Sequence, residues 1–382
     1  MAPELALSSL QAVKTGVVLD PMSGSGTVVR MAKQQSLTAL GFDLDPLAVL
    51  MSKVQTTPVA DDALEAGAKR LLREARSIHD GGVSLDWLDD DEDGKKFVEF
   101  WFAADQRSAL RKLAYLLALP QNLGISDDVA DVMRIALSRI IVTKKSAASL
   151  AQDTSHSRPH RVATESSYDV FDGFEKSVRA VRRRVSDIPL HGRVEIRRGD
   201  ARNLTTVAND SVDAVLTSPP YLNAIDYMRG HRMALIWLGH RFADLRQTRS
   251  DSIGSERKAQ YGLDQPHLIA MKAAMGDLSG LDARVRGMID RYVIDMYKML
   301  SEVTRVLRPG SKATFVMGNS CLRGVYIENS GALTAAGASL GLTSLPTFER
   351  DLPSTNRYLP TPDHGSLSKR MRKEVILSFV KH

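Results

Sequence analysis

Two short stretches of the chain hold residue types whose spacing suits group-transfer chemistry. The first is Asp20-Pro21-Met22-Ser23-Gly24-Ser25-Gly26-Thr27, between the apolar run Gly16-Val17-Val18-Leu19 and a segment, Thr27 to Lys33, able to begin a helix. Glycines in such a turn let the backbone approach a ligand without a Cβ collision. The full Gly-x-Gly-x-x-Gly fingerprint and the Gly-x-x-x-x-Gly-Lys phosphate loop are both absent, which disfavours a pyrophosphate ligand. A second apolar run, Leu37 to Phe42, ends at Asp43. A carboxylate at the carboxyl edge of a parallel strand can accept both ribose hydroxyl protons, so these parts suit an adenosine without a phosphate.

The second stretch is Val215-Leu216-Thr217-Ser218-Pro219-Pro220-Tyr221. Pro219 and Pro220 end a strand abruptly and hold Tyr221 on a stiff backbone. An exocyclic base amine is a poor nucleophile because its lone pair is delocalised into the ring. The Ser218 hydroxyl oxygen and the Pro219 carbonyl can accept the amine's hydrogens and favour a more tetrahedral nitrogen. Tyr221 offers a flat face for an extruded base, at ~1–3 kcal/mol per stacked base, which offsets part of the cost of flipping.

Positioning these stretches requires a sheet. The strand-helix-strand unit at 16–43 implies parallel strands joined by a helical crossover. Strand signals resume at Val194–Ile196, Val212–Thr217, Lys312–Met317, near Leu342–Phe348 and at Glu374–Val380, for a count of seven. A helix over Arg291–Leu307 is expected to stop at Arg308-Pro309-Gly310. Long helical patterns at Asp61–Ile78, Lys96–Leu117 and Asp127–Val142 interrupt the strand series, with the acidic run Asp89–Asp93 between two of them as a solvated loop. The fold class is therefore α/β: a seven-stranded Rossmann-like sheet with a large helical insertion. Residues 1–54 and 190–382 form the core, 55–189 the mainly helical insertion, and 222–288 a second insertion.

These motifs resemble the amino-methyltransferases of bacterial restriction-modification systems, whose cofactor motif reads Asp-Pro-Phe-x-Gly-Ser-Gly-Thr and whose catalytic motif reads Ser/Asp/Asn-Pro-Pro-Tyr. The resemblance covers about residues 12–54 and 190–382. It implies S-adenosyl-L-methionine as cofactor, with methionine and backbone contacts at Asp20, Pro21, Met22, Gly24, Ser25, Gly26 and Thr27 and ribose contacts at Asp43. Asp200, beside Ala201 in Gly199-Asp200-Ala201-Arg202, matches the family's acidic residue near the adenine. Met22 stands where phenylalanine is usual, and the cofactor motif precedes the catalytic one, whereas many relatives with Ser-Pro-Pro-Tyr have the reverse order. Serine before the two prolines is similar to the cytosine-N4 branch. The implied activity is methylation of cytosine N4 in double-stranded DNA with the base flipped out; adenine-N6 methylation, an RNA base amine, and a catalytically silent DNA-binding subunit are the alternatives. A sulfonium is already an excellent leaving group, so the single cysteine, Cys321, is not needed as a nucleophile.

Candidate nucleic-acid contacts are Lys144, Lys145, Arg158, His160 and Arg161, in a Ser/His/Arg-rich stretch (Thr143–Glu165) that reads as an exposed basic loop. Asn223 and Tyr227, with Asp226, follow the catalytic motif and can line a base pocket or cap a helix. His156 and His160 lack cysteine or acidic neighbours, so no metal is expected. Formal charge is +6, which favours a polyanionic partner. With 43% hydrophobic and 25% charged residues the chain has globular composition. No apolar run reaches the ~20 residues that cross a bilayer, so the expected setting is cytoplasmic. The resemblance also admits a cognate restriction endonuclease or other defence-system partner.

Overall fold

The computed structural model describes residues 3–152, 159–185, 191–222, 226–255, 263–351 and 373–382. In chain order the helices are α1 (Pro3–Leu10), α2 (Thr27–Gln34), α3 (Pro46–Thr56), α4 (Asp61–Ser77), α5 (Asp86–Asp89), α6 (Glu92–Trp101), α7 (Ala104–Ala118), α8 (Asp127–Ile141), α9 (Val170–Val185), α10 (Tyr227–Leu235), α11 (Phe242–Asp251), α12 (Pro266–Ala273), α13 (Ala283–Val306) and α14 (Asn329–Ser339). The strands are β1 (Val17–Asp20), β2 (Thr38–Asp43), β3 (Ala151–Gln152), β4 (His160–Arg161), β5 (Val194–Arg198), β6 (Val212–Thr217), β7 (Leu307–Met317), β8 (Ser320–Leu322), β9 (Val325–Ile327), β10 (Leu342–Ser344), β11 (Phe348–Asp351) and β12 (Lys373–Lys381).

The chain divides into two compact units. The first comprises residues 1–44, 191–225 and 250–382 and contains the main sheet, in the order β10-β12-β7-β6-β1-β2-β5, with β11 pairing β12. From β5 to β7 all neighbours are parallel, and β12 runs antiparallel to β7. This is a doubly wound, Rossmann-like arrangement. Among the described residues the sheet holds eight strands rather than seven, because the region near 342–348 is two strands, β10 and β11, each antiparallel to β12. Pro346 lies between them and has no N–H to donate to a ladder. Strand order reverses between β1 and β6, the position at whose strand carboxyl ends doubly wound sheets generally bind ligands.

Helix α13 is 24 residues long and starts at Ala283, well before the expected Arg291. The Asp282 side chain caps it by accepting from the Val285 N–H. Its buried residues Val285, Met288, Ile289, Tyr292, Val293, Met296, Met299, Leu300, Val303 and Val306 recur at three- and four-residue intervals, a single apolar stripe. The helix gives way directly to β7, and Arg308-Pro309-Gly310 lies in the strand at a register shift against β6 instead of separating the two elements.

The second unit, residues 45–190 and 226–249, is built around a helical core. The division differs from the expected boundaries. Helix α3, most of which lies in the expected 1–54 core segment, belongs to the helical unit, and the expected 222–288 insertion is shared: 226–249 joins the helices, and 222–225 and 250–288 the sheet. Two helices, α6 and α7, replace the single one expected over Lys96–Leu117, broken at Phe102–Ala103. Within the Asp89–Asp93 run, Asp90, Glu92 and Asp93 are exposed, but Asp89 and Asp91 are structural partners rather than solvated. Asp89 pairs with Arg111 at 2.6 Å and Asp91 caps α6 through the Gly94 N–H. Within the expected exposed loop Thr143–Glu165, Ala147, Ala148, Leu150 and Ala151 are buried, since Val162 N donates to the Leu150 carbonyl alongside the β3-β4 pair. Among the described residues no helix is long and apolar enough to cross a membrane.

Candidate active site

The turn after β1 is built around two carboxylates. Asp20 is 3% exposed, and its Oδ1 accepts from both the Thr217 hydroxyl (2.7 Å) and the Met22 N–H (3.2 Å), while no donor among the described residues reaches Oδ2. Asp43, at the end of β2, accepts the Gly24 N–H on Oδ2 at 2.9 Å. The Ser23 N–H donates to the Phe42 carbonyl and the Gly26 N–H to that of Ser23, which folds the turn tightly over the strand ends. Gly24 and Gly26 have φ of 54° and 86°, the left-handed region where a Cβ costs ~1–2 kcal/mol. A Cβ on Gly24 would meet nothing within 4 Å, so its face is open. Pro21 is buried, Ser25 exposed, and Thr27 opens α2.

The Asp20–Thr217 bond ties this turn to the Ser-Pro-Pro-Tyr stretch, because Thr217 is the last residue of β6. Burial pushes the Asp20 carboxyl up to about 7, against the pull of the Thr217 and Met22 donors. Ser218 donates its hydroxyl proton to the Val316 carbonyl at 2.9 Å. That orientation leaves lone pairs of the Ser218 oxygen available to accept. Pro219 is buried, and the Pro220 carbonyl accepts from the Tyr292 hydroxyl at 3.2 Å. Tyr292 is fully buried, and burial pushes its phenol up, so it stays a donor. The half-buried Tyr221 donates its own hydroxyl to Glu374 at 3.2 Å.

At the end of β5, Gly199 N donates to the Asp43 carbonyl, joining the third strand end to the cluster. Asp200 is gripped by Arg202, whose Nε and Nη2 both reach the carboxylate, at 2.9 and 2.7 Å. Burial opposes the charge on both residues, and their mutual bonds outweigh it, leaving Asp200 below and Arg202 above its ordinary value. Arg202 also binds Asp295 of α13 at 2.6 Å. Ala201 is buried beside this pair.

Asp20 through Thr27, Asp43, Asp200, Ala201 and Ser218 through Tyr221 thus all fall on the sheet unit, at the ends or just beyond its parallel strands. Lys144, Lys145, His160, Arg161 and Tyr227 fall on the helical unit, where all are exposed. Arg161 lies 4.9 Å over the Phe100 ring, and Asp226 caps α10 and pairs with Arg249 at 2.6 Å. Asn223, Arg158 and His156 lie outside the described residues. Among the described residues no group of three or more acidic, His or Cys side chains is arranged for a metal ion. The motifs pointed to none of Thr217, Tyr292, Arg202, Asp295, Glu374 and Arg350 as partners, although Thr217 and Arg202 adjoin motif residues.

The chain is similar to the Type II methyltransferase M.MvaI of Kocuria varians, with 23% identity over 99% of this chain and 88% of the relative. It is similar to the Type II methyltransferase M.BsoBI of Geobacillus stearothermophilus at 19% identity, over 88% of this chain and 74% of the relative. Among solved structures, a protein of Thermus thermophilus assigned as a DNA modification methylase, complexed with S-adenosyl-L-methionine, matches at 18% identity and a TM-score of 0.27. That match covers 48% of this chain, which spans about half the length of the other (53%). No protein-family model matches the chain.

Proposed function

We propose that this protein is an S-adenosyl-L-methionine-dependent DNA methyltransferase acting on a base amine, with cytosine N4 as its target. The observation that carries the reading is the Asp20–Thr217 bond, which sets a glycine-rich ligand turn against a Ser-Pro-Pro-Tyr strand end. The similarity to two Type II methyltransferases along nearly all or most of this chain supports it. The sheet unit fits the cofactor in a specific way: Asp20, 3% exposed, offers a carboxylate oxygen, Oδ2, that no donor among the described residues reaches, suited to the cofactor's α-ammonium, and Gly24 has an open face. Asp20 through Thr27 would hold the methionine part, Asp43 the ribose, and Asp200 with Ala201 the adenine side. When bound, the cofactor supplies a methyl group on a sulfonium.

Ser218 Oγ and the Pro219 carbonyl accept the hydrogens of the target amine, and Tyr221 stacks the extruded base. Holding the amine in line with the methyl turns a bimolecular step into an effectively unimolecular one. The serine before the two prolines favours cytosine N4 over adenine N6. DNA is the partner, and exposed Lys144, Lys145, His160 and Arg161, with Tyr227, are candidate contacts on the helical unit.

The test is incubation of the protein with methyl-labelled S-adenosyl-L-methionine and unmodified DNA or RNA, followed by nucleoside mass spectrometry. N4-methylcytosine is the expected product. N6-methyladenine moves the target to adenine, label in RNA alone replaces the substrate, and failure to bind the cofactor overturns the enzymatic reading. Tyr221→Ala is expected to cut turnover while leaving cofactor affinity largely intact. Equal loss of both would contradict the assigned roles.

A further inference from the structure

We propose that Glu374, clamped by Arg350, is a positioning residue that sets the Tyr221 ring at the angle on which the target base stacks. Nothing in the motifs points to either residue, and the inference rests on the base-stacking reading of Tyr221. Glu374 lies on β12 and Arg350 directly opposite it on β11. Arg350 places Nε and Nη2 on Oε2 of the glutamate, at 2.9 and 2.7 Å, and Tyr221 donates its hydroxyl to the other oxygen at 3.2 Å. The carboxylate is thus divided, one oxygen for the clamp and one for the tyrosine tip.

Glu374 is only 8% exposed. Burying a carboxylate costs several kcal/mol before its partners respond, and apolar side chains of similar volume often stabilise a fold at least as well. A buried glutamate committed to a tyrosine hydroxyl therefore points to a demand for orientation. The Tyr292 hydroxyl fixes the Pro220 carbonyl, at the backbone end of Tyr221. With its backbone pinned by prolines and its tip held by Glu374, the Tyr221 ring loses the torsional freedom of an unanchored tyrosine before any base arrives. Without the tether, that ordering would oppose stacking.

The experiment compares the full-length protein with Tyr221→Phe, Glu374→Ala, Glu374→Gln and the Tyr221→Phe/Glu374→Ala double variant. Each is followed by single-turnover transfer of labelled methyl to unmethylated plasmid DNA, by cofactor affinity from calorimetry, and by thermal unfolding. Tyr221→Phe keeps the ring and removes the hydroxyl that reaches Glu374. It and Glu374→Ala are expected to slow transfer by ~10- to 100-fold, with cofactor Kd within about twofold of wild type. The double variant is expected to be no slower than the worse single variant, because both remove one bond, and Glu374→Gln is expected to recover part of the rate. Wild-type transfer by Tyr221→Phe, or multiplicative losses in the double variant, would overturn the positioning role. Loss in Glu374→Ala that tracks a fall in melting temperature and cofactor affinity, with Tyr221→Phe unaffected, would reduce Glu374 to a structural residue. A wild-type protein that labels no DNA would instead remove the base-stacking reading itself.

Discussion

Asp20 combines a buried position with two donors on one oxygen, and the balance sets its protonation. With its carboxyl held up to about 7 by burial, the residue is expected to shift from mostly protonated to mostly ionised between pH 6 and pH 8 in the free protein. A cationic α-ammonium prefers the ionised form and lowers the carboxyl's pKa on binding, so binding releases a proton. Affinity for S-adenosyl-L-methionine is therefore expected to fall as pH drops from 8 to 6, by up to ~10-fold per pH unit. Titration calorimetry across that range is the check, and Asp20→Asn is expected to flatten the dependence along with weakening binding. Arg202 makes a second residue-scale prediction. It holds Asp295, which is 5% exposed, together with Asp200. Arg202→Ala removes the closer cation from a buried carboxylate, a change that costs about 3 kcal/mol, and is expected to lower the denaturant midpoint as well as cofactor affinity. An unchanged midpoint would show that Arg291, 3.4 Å from Asp295, suffices.

Among the elements, β12 carries Glu374 to the Tyr221 hydroxyl from beyond β7. It pairs β7 across six registered positions, from Val375↔Met317 to Val380↔Lys312, and receives α14 through Gly337, where an added Cβ would lie 2.6 Å from the Phe379 ring. Phe379 is 1% exposed and packs edge-on to Phe315 of β7. Gly337→Ala is expected to cost ~1–3 kcal/mol through overpacking, despite the higher helix propensity of alanine. Chemical denaturation checks this, and a stabilised variant would mean that helix and strand can separate freely. The same strand carries Glu374, so a shift in β12 is expected to reach Tyr221.

At the scale of the whole molecule, each unit has its own apolar core: Leu71, Leu113, Met133 and Phe174 among the helices, and Leu19, Tyr292, Phe315 and Phe379 in the sheet unit. The formal charge of +6 accompanies exposed Lys144, Lys145 and Arg161 on the helical unit. If these meet phosphates, DNA affinity depends on counterion release. Raising salt from 50 to 200 mM is expected to weaken binding by about 10-fold or more, and Lys144→Ala/Lys145→Ala to reduce the slope of log K against log salt by about 2. A slope unchanged by the double substitution would place the phosphate contacts elsewhere.

The sequence by itself determined the parts whose physics is local. Asp20-Pro21 and Pro219-Pro220 end strands because proline has no N–H to donate, Gly24 and Gly26 stand where φ is positive, a short, nearly continuous apolar run marks β6, and an apolar stripe marks α13. These sufficed for the two motifs and most of the sheet, while the split of the 342–348 region into two strands came from the tertiary structure. Tertiary structure alone decided which side chains meet across long separations. Thr217 reaches Asp20 from 197 residues away, Glu374 reaches Tyr221 from 153, and residues 226–249 pack with helices that end by residue 185. Such contacts depend on strand order and on the register between strands, and neither is encoded in any short window of sequence: a one-residue slip would turn Glu374 to the opposite face of the sheet.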